Sequence, residues 1–146
     1  MGGNRLTNLG NAIEGTDAIN LSQLINSLAN VVAVCNSFTA GASITKHTIV
    51  YMGVDERVYV ASSDEIDQMH RVIGISKTSA NIGASVSVVM FGIVDGFAGL
   101  SAGMPYFFDT NGNLSHIPPT IGYTQCLGTA IGSSKIHVNI QVPIGI

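Results

Sequence analysis

Apolar residues along this chain keep two different periods. Leu21, Leu24, Leu28, Val31, Cys35 and Phe38 are spaced three, four, three, four and three residues apart. That is the a/d spacing of a heptad seam. From Ile44 onward the period shortens to two, and polar and apolar residues alternate in short runs broken by Gly and Asn.

The first pattern predicts a helix from Asp17 to about Phe38. With Leu21 at position a, Ile25 and Val32 fall at e and Val34 at g. The apolar stripe is then wider than a two-stranded seam needs, which suits three or more helices. Fully helical, it would run about 27 Å and require cover from other helices, most simply copies of itself. Asp17 or Asn20 supplies a short polar cap for the first amide hydrogens. The plainer alternative is an amphipathic helix packed on its own domain, since only about two and a half heptads are present where three to four are usual. Residues 1–16 hold isolated apolar residues among Gly, Asn and Thr and read as an irregular, extended lead-in. Thr39-Ala40-Gly41-Ala42-Ser43 closes the helical pattern, so the neck is placed at 17–40.

The second pattern predicts strands over 44–51, 57–61, 72–75, 84–95, 104–108, 125–131 and 136–142. Segment 64–69 reads as one helical turn or a loop. Phe107-Phe108-Asp109-Thr110-Asn111-Gly112-Asn113-Leu114 is the clearest hairpin, because Asn-Gly tolerates the positive φ angles of a tight turn. Its Asp-x-Asn-x-Asn spacing resembles a calcium loop only in part, since Gly comes at the fourth place and no Glu follows at the twelfth. Short strands with turn signals between them give a mainly β fold. The expected architecture is an antiparallel β-sandwich or barrel head at 44–146 behind a coiled-coil neck.

Composition sharpens this picture. Charged residues make up 10% of the chain, against roughly 25% in soluble domains. Hydrophobic residues reach 46%, so surface polarity must come from Ser, Thr and Asn. A net charge of -3 with six scattered Lys and Arg argues against nucleic-acid binding. No apolar run approaches the length of a membrane span, and the first residues carry no apolar leader region. The two cysteines, Cys35 on the seam and Cys126 in an apolar run, are expected to be free and buried.

Chemistry-bearing motifs are sparse. The four histidines, His47, His70, His116 and His137, form neither His-x-His nor His-Glu-x-x-His. His47 and His137 alternate with apolar neighbours and are expected on outer strand faces or in a subunit contact. No nucleophile elbow, phosphate loop or dinucleotide fingerprint is present. The expectation is therefore no catalytic residue, no cofactor and no metal, with one reservation. A three-fold axis turns one His per chain (His47, His116 or His137) into three ligands. Asp64, Glu65 and Asp67 form an acidic cluster that reads first as a solvated surface and second as the carboxylates of a glycosidase.

Asn8-Leu9-Gly10 followed by Gly15-Thr16-Asp17-Ala18-Ile19-Asn20-Leu21-Ser22-Gln23-Leu24 resembles the neck of trimeric surface fibres. It is similar to the Asp-Ala-Val-Asn-x-x-Gln-Leu necks of trimeric autotransporter adhesins and bacteriophage tail fibres. The order of Val58-Tyr59-Val60-Ala61-Ser62-Ser63, Arg71-Val72-Ile73-Gly74-Ile75-Ser76, Gly92-Ile93-Val94-Asp95-Gly96, Leu100-Ser101-Ala102-Gly103-Met104-Pro105-Tyr106-Phe107 and Leu127-Gly128-Thr129-Ala130 is similar to small β-domains of phage structural proteins. Unlike the autotransporters, this sequence shows no membrane-anchoring barrel. Its apolar Val142-Pro143-Ile144-Gly145-Ile146 suits a tail packed into a trimer.

The resemblance implies a homotrimeric tail fibre whose distal part attaches the virion to a host-cell receptor, a glycan or an outer-membrane protein. The trimer seam would be Leu21, Leu24, Ile25, Leu28, Val31, Val32, Cys35 and Phe38. The partners would be two further copies of the chain, the rest of the fibre and the receptor. Exposed loops carry recognition when a sheet holds them, so Asp109, Asn111, Asn113, His116 and Tyr123 are the candidate receptor residues. Two other readings stand beside this one: a fibre-tip glycosidase, and an architectural trimerisation or decoration module of a virion or contractile injection system.

Overall fold

The structure, a computed structural model, describes residues 33–146. Its frame is a nine-stranded sheet in which every strand pair is antiparallel. The strands are β1 (Ala33–Thr39), β2 (Ile49–Met52), β3 (Val58–Val60), β4 (Val72–Ser76), β5 (Ser85–Asp95), β6 (Pro105–Phe108), β7 (Leu114–Ser115), β9 (Gly128–Ala130) and β10 (Lys135–Val138). They run in the order β3-β2-β4-β5-β10-β9-β6-β7, with β1 a branch on β5. β8 (Tyr123–Thr124) and β11 (Ile144–Gly145) pair separately. Among the described residues one short helix, α1 (Ile66–Met69), lies between β3 and β4. The described part of the chain is thus mainly β and antiparallel, as its period-two patterning predicts.

The sheet curls until its ends meet. Ile49 N–H donates to the Gly112 carbonyl at 2.8 Å, which ties β2 to the turn between β6 and β7. Ser63 N–H reaches the Asp109 carbonyl at 3.3 Å.

β5 explains how one strand serves two apolar clusters. Val86 and Val88 join Ile44, Val50 and Val58 in one cluster. Val89 and Val94 join Ile49, Ile75, Phe108, Leu127 and Ile136 in the other. Strict alternation would put Val89 and Val94 on opposite faces. Opposite β1, however, the register jumps from Phe91 to Val89 and leaves Met90 as an extra residue. This bulge resets the parity, so Val94 returns to the face of Val89.

The C-terminal part of the expected neck helix is corrected here. Val34, Cys35 and Phe38 lie in β1, which pairs along β5 from Gly92 to Ser85. Ala33-Val34-Cys35-Asn36-Ser37-Phe38-Thr39 contains β-branched residues, Asn and Ser, none of them strong helix formers. A seven-residue ladder outweighs a three-four spacing of which only the last members, Cys35 and Phe38, fall in this segment. Cys35 is therefore exposed on a strand, not packed on a helical seam, and Cys126 is half-buried. Both thiols are free, but neither is fully buried. The head begins at β1 and not at residue 44. Leu21, Leu24, Ile25, Leu28, Val31 and Val32, with the lead-in of residues 1–16, lie outside the described residues.

Candidate functional site

The β6–β7 hairpin is where most of the predicted receptor residues converge, and its geometry assigns them different work. Asp109 Oδ1 accepts the N–H groups of Asn111 at 2.8 Å and Asn113 at 2.9 Å. Its Oδ2 accepts from Asn113 Nδ2 at 3.1 Å. Asp109 N–H in turn donates to the Asn113 carbonyl at 3.0 Å. The Asp109 carboxylate is thus the internal brace of the turn. Gly112 takes φ +73° while Asn111 stays at negative φ, so only the glycine supplies the left-handed residue that the Asn-Gly pair suggests. Asn111 is left exposed at the tip.

Partial burial pushes the Asp109 carboxyl upward. The hydrogen bonds from Asn113 and Asn111 outweigh it and leave the net value lowered. A carboxylate with a lowered folded value stabilises the fold fully above about pH 4, and that contribution disappears as the pH falls through the folded value. Asp109→Ala is expected to reduce unfolding free energy by about 1–2 kcal/mol at pH 7, with solvent screening keeping it near the lower end. Urea unfolding of both proteins should show the gap narrow as the pH falls below the ordinary carboxylate range, about pH 4. A gap that stays constant with pH would remove the carboxylate from this role.

Two clefts flank the hairpin. One, of about 370 Å³, is lined by Asp64, Asp109, Ile117, Pro118, Pro119 and Ile121 among others. Of the acidic cluster only Asp64 lines this cleft; Glu65 and Asp67 do not. Asp64 therefore shares it with a carboxylate already committed to the turn.

The second cleft, of about 360 Å³, includes Lys46, His47, Phe97, Tyr106, Asn113 and His116 in its wall. His47 precedes β2 in a left-handed conformation with φ +68°, uncommon for a residue with a Cβ. Ser76, wholly buried in β4, holds it there. Its Oγ donates to the Thr45 carbonyl at 2.7 Å and accepts from Thr48 N–H at 2.9 Å. His47 N–H donates to the Ser76 carbonyl at 2.8 Å. The imidazole then stacks on Phe97 with ring centroids 4.1 Å apart. Its Nε2 lies 3.2 Å from the Asp95 carbonyl, which can only accept, so Nε2 carries the hydrogen and Nδ1 remains as an acceptor. Desolvation, and then the neighbouring Lys46 ammonium, lower the His47 value, and the Asp95 contact offsets them only in part.

Tyr106 stands in the same wall. Its hydroxyl accepts Ser101 N–H at 3.0 Å, and its ring lies 6.2 Å from that of His116. Tyr123 lines neither cleft; it sits on β8, 41% exposed and paired with Gly145. The structure therefore joins Asp109, Asn111 and Asn113 in one turn, sets His116 beside it, and leaves Tyr123 out.

His47 is not on an outer strand face, as its alternation with Ile49 suggests, but at a left-handed corner ahead of the strand. The polar interruption Thr45-Lys46-His47-Thr48 between Ile44 and Ile49 is the one sequence signal of that corner. His137 does lie on β10, half-buried, its ring edge-on to Phe91 at 5.2 Å. Among the described residues no three His, Cys, Asp or Glu side chains gather as metal ligands. No protein-family model and no curated protein sequence matches the chain.

Proposed function

We propose that this chain is the distal part of a homotrimeric bacteriophage tail fibre, and that its β head attaches the virion to a receptor on the host-cell surface, a glycan or an outer-membrane protein. One observation carries the reading: a neck-like heptad sequence runs directly into an antiparallel β unit whose most prominent hairpin is flanked by two open clefts. The neck supplies three copies of each cleft, and avidity compensates for weak single contacts. Apolar surface on the head supports association. Val34 and Phe91, paired across β1 and β5, are 57% and 50% exposed, and β1 follows Val31 and Val32 of the seam without a break. Exposed apolar side chains grouped in this way mark interaction surfaces.

Binding is favoured over turnover because the acidic cluster is divided. Glu65 and Asp67 stand outside the cleft, and the Asp109 carboxylate is taken up by three hydrogen bonds. Since Asp109 and Gly112 hold the turn, the test leaves them intact. Asn111→Ala combined with His116→Ala is expected to weaken binding of the whole chain to host cells about tenfold, with the melting temperature unchanged. Undiminished cell binding by the double variant would move attachment away from this hairpin. Failure of the native chain to bind any cell or arrayed glycan would favour the architectural module instead.

A further inference from the structure

We propose that the cleft between His47 and His116 is a subsite for a carboxylated sugar, one whose ring carries a single carboxylate beside its hydroxyls. This takes the attachment reading as its starting point and names the chemistry of the receptor group.

Charge is the first argument. No Asp or Glu lines the cleft. Lys46 is exposed, and the one ion pair among the described residues joins Lys135 to Asp95 and does not involve it. A Cβ built on Gly96 would meet His47 Cε1 at 3.3 Å and Lys46 Nζ at 3.6 Å, so ammonium and imidazole converge on the same spot of backbone. An ammonium without a carboxylate partner, beside a histidine held towards its neutral form, matches an anion of one charge better than a doubly charged phosphate.

Shape is the second argument. Phe97 and the imidazole stacked on it form an aromatic wall for the C–H side of a pyranose ring, while the Tyr106 ring is itself buried. Asn113 and His47 Nδ1 offer the few directional groups that fix hydroxyls in such sites. The third argument is the backbone. A left-handed histidine is maintained by two hydrogen bonds to the buried Ser76 hydroxyl and one to its carbonyl. Strain kept in place by surrounding bonds is characteristic of sites that position a side chain for a ligand.

The test uses the full chain with labelled histidines and follows their ring resonances at pH 7 during titration with glucuronic acid, glucose and inorganic phosphate. Glucuronic acid and glucose share a ring and differ in the carboxylate. Saturable shifts of the His47 and His116 resonances with glucuronic acid are expected, with Kd on the order of a millimolar and glucose about tenfold weaker. Lys46→Met should weaken glucuronic acid about tenfold, while Lys77→Met, an exposed lysine outside the cleft, should change nothing. Equal affinity for the two sugars, no saturation, or tighter binding of phosphate would each overturn the assignment. Cell binding is scored separately. A chain that binds cells but not glucuronic acid loses this subsite and keeps the attachment role. One that binds glucuronic acid but no cells keeps the subsite and loses that role.

Discussion

Leu28→Asp is expected to abolish assembly. Sedimentation equilibrium of the native chain at micromolar concentration should return three times the 15.2 kDa chain mass, and the variant should return one. Leu28 stands at a seam position with Leu21 and Leu24 before it and Val31 after it. In a trimer the substitution gathers three carboxylates about one axis. A buried charge without a partner costs several kcal/mol, and here three like charges also repel. No charged residue at the e and g positions is available to compensate. A native chain that sediments as a monomer would end the fibre proposal, and a Leu28→Asp chain that stays trimeric would place the contact in the head. The Val34–Phe91 surface is where a second substitution would then be made.

Strand patterning was legible wherever one face is buried and the other wet. Ile136 and Val138 are fully buried and alternate with Lys135, His137 and Asn139, as period two requires. The β6–β7 hairpin stood out because Asn-Gly chemistry is local. β1 did not stand out, because a strand of seven residues that pairs along most of β5 is defined by its partner more than by its own pattern. Its three-four spacing belonged to the preceding residues. The clefts were the least legible part. Asp109, Asn111 and Asn113 lie within one turn and could be grouped on sight. The pairing of Lys46 and His47 with Phe97, Tyr106 and His116 depends on the sheet curling until β2 meets the β6–β7 turn. No spacing in the sequence records that closure. Ser76 was silent for the same reason: a serine at the end of a strand gives no sign that its hydroxyl fixes a corner about thirty residues earlier.

Gly74→Ala is expected to be among the most damaging small substitutions in the described residues. Gly74 lies in the middle of β4, buried, opposite Val50 of β2. A Cβ at this position would collide with the Val89 carbonyl oxygen of β5 and come within 2.8 Å of Val88 Cγ1. Neither obstacle is the free end of a flexible side chain. Relief requires β4 and β5 to part, which breaks the pairing of Ile75 with Val89 and opens both apolar clusters, since Val88 belongs to one and Val89 to the other. The expected loss exceeds about 3 kcal/mol, a large share of the total stability of an ordinary domain. Two comparisons isolate the cause. Gly99→Ala meets no atom within 4 Å but keeps φ +72°, so it should lose only about 1 kcal/mol of backbone preference. Gly132→Ala meets no atom within 4 Å and needs no positive φ, so it should be neutral or slightly stabilising. Urea unfolding of the three variants in that order of severity would confirm that β4 and β5 touch backbone to backbone at Gly74. A Gly74→Ala protein as stable as the Gly132→Ala protein would show that the two strands are further apart than this structure has them.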